Sequence, residues 1–314
     1  MTFAIVFPGQ GSQSPGMQKS LASEYPVVEQ TYREASDVLG LDLWALVQSG
    51  PHEELDRTVI TQPAMLAAGV SAWRAWQAAG GIEPAILAGH SLGEYSALVC
   101  AGALDFADAV TLVRQRAELM QQAVPEGSGG MAAILGLDDD AVIDVCRRAA
   151  EGQVVSAVNF NSPGQVVIAG DRAAVERAVE QAKAAGARRA MLLPVSVPSH
   201  CELMIPAADR LALELAETPI SAPRVPVVNN VDVAIYKDAS QIRDGLVRQL
   251  HNPVRWVETV QTLVAAGAGC ILECGPGKVL TGLLKRIDRN VTGIGIDDPE
   301  SLQKAIDASQ ESAR

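Results

Sequence analysis

The segment that most constrains the fold is a G-x-S-x-G motif, Gly89-His90-Ser91-Leu92-Gly93. An apolar run over residues 85–88 precedes it, and residues 96–99 are typical of a helix start. Strand, tight turn and helix are the context in which this motif forms a nucleophile elbow. The turn strains the serine backbone, and a Cβ on either glycine would collide with the adjacent strand or helix. The motif therefore predicts Ser91 as a nucleophile beside helix N–H groups that stabilise an oxyanion. The alternative is a chance match in a chain with 27 glycines.

Composition excludes several classes of protein. The 314 residues, 48% hydrophobic and 20% charged, are typical of a globular protein with a large core. The net charge of −12 argues against general nucleic-acid binding. No apolar run approaches the roughly 18 residues of a membrane helix, and residues 2–7 lack the features of a signal peptide. The five cysteines are odd in number and lie mostly in apolar runs, so we expect reduced thiols in a cytoplasmic protein. Cys270 and Cys274 lack a second pair of ligands, so we expect no metal site.

Two glycine-rich loops differ from phosphate-binding fingerprints. Residues 8–16 follow a predicted strand over residues 3–7, but their glycines are spaced G-x-G-x4-G and no acidic residue ends a second strand about twenty positions later. Such a loop can instead present N–H groups to a developing negative charge. Gly275-Pro276-Gly277-Lys278 lacks the spacing of a phosphate loop and is interpreted as a strand-to-helix turn.

Residues 131–195 predict a small unit with the order βαββαβ, which is that of a ferredoxin-like domain. Its predicted strands cover residues 131–135, 154–158, 166–169 and 189–195, and its helices cover residues 138–150 and 173–185. Glycine and proline mark its boundaries at residues 125–130 and 194–198. We therefore expect an inserted small domain over residues 127–197.

Strands alternate with helices on both sides of this insertion, which predicts a mainly parallel sheet with helices on both faces, an α/β-hydrolase-like core. This catalytic domain would combine residues 1–126 and 198–314. Helical periodicity predicts long helices over residues 63–79 and 106–123.

A serine nucleophile needs a base, and the chain has four histidines. On a sharp elbow, His90 projects away from Ser91 and packs or lines the pocket. His52 opens a polar helix and is interpreted as solvated, and His251 suits a helix end, where the dipole favours a cation. His200 lies in a proline-bearing loop at the domain junction, which is a suitable place for a fixed base. The sequence favours His200 over His251 without excluding either, and no aspartate is obviously placed as a third triad member.

Five motifs occur together and in order. They are Phe7-Pro8-Gly9-Gln10-Gly11-Ser12-Gln13, Thr61-Gln62-Pro63, Gly89-His90-Ser91-Leu92-Gly93-Glu94-Tyr95, Pro198-Ser199-His200 and Gly275-Pro276-Gly277. This set resembles the malonyl-CoA:acyl carrier protein transacylases of dissociated fatty-acid synthases, relatives of polyketide-synthase acyltransferase domains. The resemblance covers nearly the whole chain, including the predicted insertion.

The resemblance implies a role for each matching position. Ser91 would be the acylated serine and His200 its base, and Gln249 would orient the histidine through its carbonyl in place of an aspartate. Gln10 and Leu92 would form the oxyanion hole through their backbone N–H groups.

For the substrate, the resemblance implies that Arg116 pairs with the free carboxylate of the malonyl group and that Gln62 lines the pocket. A planar guanidinium can hold a carboxylate through two parallel charge-assisted hydrogen bonds. Without the resemblance, a surface salt bridge on an exposed helix face would be the preferred interpretation of Arg116.

The implied activity is ping-pong transfer of a malonyl group from malonyl-CoA to the phosphopantetheine thiol of holo acyl carrier protein, with no metal and no tightly bound cofactor. We expect a monomer without nucleic-acid or membrane partners. Acyl carrier proteins are acidic, so docking needs local positive charge, for which Arg188-Arg189 and Lys285-Arg286 are candidates. Solvated surface charge is the commoner meaning of such pairs.

A serine thioesterase or esterase is the alternative function, although the chain lacks a His-Gly-Gly-Gly motif and a clear triad acid. A non-catalytic scaffold is a third possibility, opposed by the presence of Ser91, His200 and Arg116 together.

Overall fold

The computed structural model describes residues 2–195 and 197–312. Its strands are β1 Thr2–Phe7, β2 Ile86–Gly89, β3 Gly129–Leu135, β4 Val155–Ser162, β5 Gln165–Asp171, β6 Arg189–Leu192, β7 Val227–Val228, β8 Ala268–Cys274 and β9 Thr292–Ile296. Its helices are α1 Lys19–Glu24, α2 Val27–Leu39, α3 Leu43–Ser49, α4 His52–Leu55, α5 Thr58–Ala78, α6 Gly93–Cys100, α7 Phe106–Ala123, α8 Asp139–Ala149, α9 Arg172–Ala184, α10 Ile205–Glu217, α11 Ala239–Gln249, α12 Trp256–Ala265, α13 Val279–Ile287 and α14 Pro299–Ser312, with a 3₁₀ turn at Glu202–Met204.

The larger sheet is parallel, with the strand order β7-β2-β1-β8-β9. Alternate residues of β1 enter two separate cores, Phe3, Ile5 and Phe7 on one face and Ala4 and Val6 on the other. Helices therefore cover both faces, which explains why the strands are continuous apolar runs. Phe7 pairs with Gly89, so the loops that follow β1 and β2 leave the sheet at the same carboxyl edge. The expected mixed α/β architecture with a parallel sheet is confirmed.

The smaller sheet is antiparallel, with the order β4-β5-β3-β6. Along the chain, its strands and the helices α8 and α9 follow the predicted order βαββαβ. Residues of α8 and α9 pack together with β3, β4 and β5 in one core, which lies on one face of the sheet. Strand β6 ends at Leu192 rather than at residue 195, because the chain turns beyond it, where Val195 N–H donates to the carbonyl of Leu193. Ser196, in the loop that follows, lies outside the described residues.

Helix α5 starts at Thr58, five residues earlier than the expected start at Pro63. Proline is over-represented in the first helical turn, so a start at Pro63 would agree with local propensity. In the structure Pro63 lies inside the helix, and Ile60, Thr61 and Gln62 are buried. Tertiary packing thus stabilises an additional turn that local propensity does not predict, and this turn carries Gln62 toward the site described below.

Among the helices of the described residues, none combines the length and the apolar character needed to cross a membrane.

Candidate active site

Ser91 lies at a sharp turn between β2 and α6, with a positive φ of 51°. A Cβ on Gly89 would lie 1.9 Å from the carbonyl carbon of Gly93, and a Cβ on Gly93 would lie 2.1 Å from the carbonyl oxygen of Phe7. Both distances are far below van der Waals contact, so only glycine fits at either position. The elbow geometry and the reason for its two glycines are confirmed.

His200 lies next to the serine. Its Nε2 is 2.8 Å from Ser91 Oγ, and its Nδ1 is 2.7 Å from the main-chain carbonyl oxygen of Gln249. The loop is anchored beside this pair, since His200 N–H donates to the carbonyl of Leu250. His251 instead has its Nδ1 3.2 Å from the side-chain amide of Asn252. The structure therefore places His200 and not His251 against the Ser91 hydroxyl, and a carbonyl lies where a triad aspartate would be.

The His200 imidazole is neutral in this environment. It is 3% exposed, and burial together with the nearby Arg116 charge lowers its pKa to about 3. A carbonyl oxygen only accepts hydrogen bonds, so Nδ1 carries the proton and donates to Gln249. The lone pair on Nε2 is then directed at the Ser91 hydroxyl, which is the arrangement required for a general base.

Arg116, on α7, is 2% exposed. Its Nη1 donates to Gln62 Oε1 at 2.8 Å and its Nη2 to Gln249 Oε1 at 3.1 Å, while Nε has no hydrogen-bond partner among the described residues. The guanidinium carbon lies 5.6 Å from the centroid of the Tyr95 ring. The surface-salt-bridge interpretation of Arg116 is wrong, because this guanidinium is buried and is connected through Gln249 to the Ser91–His200 pair. Burial lowers the pKa of Arg116, but a guanidinium in a protein stays charged.

The loop after β1 lies against the elbow. A Cβ on Gly9 would be 2.5 Å from the carbonyl oxygen of His90. Gln10 follows and its Oε1 accepts from the Thr58 hydroxyl at 3.2 Å, which connects this loop to α5. Within the part of the chain that the structure describes, no protein acceptor takes the backbone N–H of Gln10 or of Leu92. Both N–H groups are therefore free to bind another acceptor.

Comparison with known proteins places this site in a family. The acyl transferase domain family matches residues 4–295. The chain is 62% identical over 304 residues to the malonyl CoA-acyl carrier protein transacylase of Salmonella typhimurium, covering 97% of this chain and 98% of the relative. The chain belongs to the malonyl CoA-acyl carrier protein transacylase family.

Other members of the transacylase family agree over the same length. The Bacillus subtilis transacylase is 45% identical over 98% of this chain and 97% of its own. An acyl carrier protein S-malonyltransferase from Vibrio cholerae superimposes with a TM-score of 0.95 at 60% identity, covering 97% of this chain and 100% of that one. A malonyl-transacylase solved in complex with its type II PKS acyl-carrier protein superimposes with a TM-score of 0.97 at 59% identity, covering 98% and 100%.

Sequence reasoning missed two side chains of this transacylase-family site. Asn230 Oδ1 accepts from Ser91 N–H at 2.7 Å and its Nδ2 donates to the carbonyl of Gly89 at 2.6 Å. Glu94 is buried, and its carboxylate accepts from Asn229, Asn230 and Gln249. Asn229-Asn230 directly follows β7, the strand beside β2, so both strands deliver residues to one carboxyl edge. The position of these two asparagines at the end of a strand was the signal available in the sequence.

His90 packs as expected for a residue beside the elbow. Its ring centroid lies 5.3 Å from that of Trp256, and its Nε2 is 2.8 Å from Asn161 Oδ1. His90 thus connects the elbow to β4 of the smaller sheet.

The four cations expected to dock a carrier lie outside the hydrogen-bond network around Ser91. Arg188, Arg189, Lys285 and Arg286 are exposed. Arg286 Nη1 donates to Gln165 Oε1 at 2.7 Å, and Arg188 lies against Gly136, whose N–H donates to the carbonyl of Gly164. The two basic pairs therefore flank one turn of the smaller sheet, residues 163–165.

Proposed function

We propose that the chain transfers a malonyl group from malonyl-CoA to the phosphopantetheine thiol of holo acyl carrier protein through a malonyl-serine intermediate. The observation that carries this proposal is the connection of Arg116 to Ser91 and His200 through Gln249. One site thus contains a nucleophile for a thioester and a buried cation for a carboxylate, the two ends of a malonyl thioester.

In the first half-reaction, His200 Nε2 takes the proton of the Ser91 hydroxyl as Oγ bonds to the thioester carbonyl carbon. The oxyanion is stabilised by the N–H groups of Gln10 and Leu92, which have no protein acceptor among the described residues. The tetrahedral intermediate collapses with cleavage of the carbon–sulfur bond, and the imidazolium returns its proton to the leaving CoA thiolate. In the second half-reaction the carrier thiol attacks the malonyl-serine ester by the reverse sequence, which regenerates the Ser91 hydroxyl.

Arg116 binds the far end of the substrate. Gln62 and Gln249 hold its Nη1 and Nη2, so the guanidinium is fixed before the malonyl carboxylate arrives. Gln62 is a positioning residue in this account, since its amide oxygen is committed to Arg116 and its amide nitrogen donates to Thr58. A hydrolase of neutral acyl esters has no use for this buried cation, which argues against the thioesterase alternative.

We assign residues 127–197 as a ferredoxin-like domain inserted into an α/β-hydrolase-like core formed by residues 1–126 and 198–314. The antiparallel order β4-β5-β3-β6 with both helices on one face supports the first assignment. A Cβ on Gly129 would lie 2.6 Å from Pro198 Cδ, so the chain enters and leaves the insertion at adjacent points. His200 follows the exit by two residues, which places the base at the boundary between the domains.

We propose a cytoplasmic monomer with acyl carrier protein as its macromolecular partner. All five cysteines are buried and unpaired, which suits a reducing compartment. Four exposed cations around residues 163–165, on a chain with a net charge of −12, form a local surface for an acidic carrier. The expectation of no resident metal or cofactor is part of this proposal, because the mechanism needs neither.

The deciding experiment is intact-protein mass spectrometry after incubation with malonyl-CoA. We expect a malonyl adduct that is lost in Ser91→Ala and is transferred to holo acyl carrier protein. Ser96→Ala is the matched control, because Ser96 lies on α6, the helix that follows Ser91, and its buried hydroxyl has no partner among the described residues. Release of free malonate without a carrier would favour a hydrolase, and absence of an adduct would favour a scaffold; either result would overturn the proposal.

A further inference from the structure

Glu94 is a buried carboxylate at the centre of the site, and the proposed transfer mechanism assigns it no role. It lies in the first turn of α6, three residues after Ser91, and is 3% exposed. Three donors converge on it: Asn229 Nδ2 at 2.7 Å, Gln249 Nε2 at 2.8 Å and the Asn230 N–H at 3.1 Å. Within the described chain it makes no hydrogen bond to Ser91 Oγ or to His200, so any effect on the reaction passes through these donors.

One branch leads from Glu94 to the arginine. Gln249 Nε2 donates to Glu94 Oε2, and Gln249 Oε1 accepts from Arg116 Nη2 at 3.1 Å. An ionised carboxylate only accepts and a guanidinium only donates, so the two charges together determine which way the Gln249 amide faces. Without the carboxylate, the Gln249 amide nitrogen keeps only the Ser91 carbonyl, at 3.1 Å, as an acceptor, and Arg116 loses a partner whose orientation is fixed by charge.

The other branch leads from Glu94 to the nucleophile. The Asn230 N–H bonds to Glu94 Oε2, while the Asn230 side chain bonds to Ser91 N–H and to the carbonyl of Gly89. Asn230 thus spans the strained turn that holds Ser91 at a φ of 51°. A strained conformation persists only where its surroundings determine it, so the position of Asn230 bears on the position of Ser91 Oγ.

The protonation state of Glu94 determines whether both branches hold. Burial raises its pKa to about 7, against the opposing effect of the Gln249, Asn229, Asn230 and Arg116 contacts. The ionisable groups that face it are Arg116 from α7, Tyr95 on its own helix and Tyr236, which lines with Glu94 a cavity of about 10 Å³. A cavity of this volume has room for about one water molecule beside the carboxylate.

We propose that Glu94 is a positioning residue for malonyl transfer, which aligns Ser91 through Asn230 and Arg116 through Gln249. The inference deepens the proposed function and rests on it. A carboxylate is required at this position because three donors point at it. The amide in Glu94→Gln would direct an N–H₂ group against at least one of these donors and leave it unpaired.

Two readouts separate the branches. The first is the rate at which a fluorophosphonate ester, which carries no carboxylate, phosphonylates Ser91 with loss of fluoride. The second is the ratio of kcat/KM for malonyl-CoA to that for acetyl-CoA. We expect Glu94→Gln to lower both at least about tenfold, Asn230→Ala to lower mainly the labelling rate, and Gln249→Ala to lower mainly the ratio. Glu94→Asp, which keeps the charge, should recover part of both.

Glu273→Gln is the matched control, because Glu273 is also a fully buried carboxylate but accepts from the N–H groups of Leu280 and Thr281 at the start of α13. It should lower thermal stability without changing either readout per folded molecule. If folded Glu94→Gln keeps both readouts, or loses no more of them than Glu273→Gln, the inference is overturned.

A pH profile of the wild-type labelling rate decides the question even where Glu94→Gln does not fold. The rate should fall as the pH decreases through about 7, and Glu94→Asp should move the midpoint of this fall, which titration of His200 would leave in place. A flat profile between about pH 5.5 and 8 overturns the inference.

A different result would refute the proposed function instead: wild-type protein that is labelled by the fluorophosphonate but does not react with malonyl-CoA. Labelling of the variants would then still test the connection from Glu94 to Ser91.

Discussion

The main-chain carbonyl oxygen of Gln249 lies 2.7 Å from Nδ1 of His200, while the side chain of the same residue donates to the Ser91 carbonyl and accepts from Arg116. The proposed base and the proposed substrate-binding cation are therefore positioned by one residue, the first by its backbone and the second by its amide. Because the acceptor for His200 Nδ1 is a main-chain carbonyl, a side-chain substitution at Gln249 leaves it in place. In the proposed mechanism, Gln249 thus supports the base through its backbone and the selection of the acyl group through its side chain.

Arg116→Ala should shift the acyl-group preference away from malonyl and toward acetyl. The variant loses two charge-assisted hydrogen bonds to the malonyl carboxylate, worth about 3 kcal/mol together, so kcat/KM for malonyl-CoA should fall about 100-fold. The acetyl group has no carboxylate for Arg116 to bind, so the rate with acetyl-CoA should rise relative to that with malonyl-CoA. Arg116→Lys should be intermediate, because an ammonium keeps the charge but not the planar fork.

The control for this measurement is Arg114→Ala. Arg114 lies on the same helix, but its Nε bonds to Glu118 Oε1 at 2.5 Å at the protein surface. Steady-state assays with both thioesters should show no change of preference in that variant. An unchanged malonyl-to-acetyl ratio in Arg116→Ala would remove Arg116 from its role.

The pH dependence of stability should reveal the buried His200. Its pKa in the folded state, about 3, lies below the usual 6.5, so between these values the unfolded chain binds a proton that the folded chain does not. His200 therefore makes stability decrease as the pH falls through this range. Glu94 has the opposite sign, because its pKa is raised to about 7 and the folded state binds the extra proton below that pH.

His200→Gln should remove only the first contribution. Urea-unfolding midpoints measured from about pH 4 to 7 should then decrease less steeply with acidification than those of the wild type. Identical slopes in the two proteins would show that His200 titrates in the folded state much as it does in the unfolded chain.

Gly89→Ala and Gly93→Ala should each prevent folding or lower stability by several kcal/mol. The added methyl groups would lie 1.9 Å and 2.1 Å from backbone atoms of the elbow and of β1, where no flexible side chain can move aside. Gly282→Ala is the control: its Cβ would meet nothing within 4 Å, and Gly282 lies inside α13. Since alanine favours helix, thermal unfolding should show that variant to be as stable as the wild type or about 1 kcal/mol more stable. A stable, active Gly93→Ala would contradict the packing at the elbow.

The sequence could predict those parts of the site whose geometry is local. The elbow follows from the positions of Gly89 and Gly93, and the alternation of strands and helices follows from apolar patterning. The choice of His200 over His251, by contrast, depends on a contact 109 residues apart in sequence, to which periodicity gives no access. Arg116 illustrates the same limit, since its helix predicts an exposed ion pair and only its contacts with Gln62 and Gln249 show that it is buried.

Glu94 and Asn230 remained hidden for a related physical reason. Glu94 lies in the first turn of α6, which is otherwise free of charged residues, and its three donors come from chain segments more than 130 residues away. Strand β7 has only two residues, so the asparagines behind it resemble an ordinary loop. The turn of α5 before Pro63 could not be predicted either, because it is stabilised by burial rather than by propensity.

Charge reversal at the two basic pairs should separate the half-reactions. Replacing Arg188, Arg189, Lys285 and Arg286 by glutamate should raise the KM for holo acyl carrier protein about tenfold or more, because an acidic carrier would then meet like charge. The rate of Ser91 acylation by malonyl-CoA should stay unchanged, since these exposed side chains are not part of the network around Ser91. Arg147→Glu with Arg148→Glu is the matched control, because these residues form an exposed basic pair on α8 that is bonded to Asp144.

Raising the salt concentration should weaken carrier transfer in the wild type more than in the charge-reversed variant. Equal losses in both half-reactions, or an equal loss in the α8 control, would show that the turn at residues 163–165 is not the docking surface.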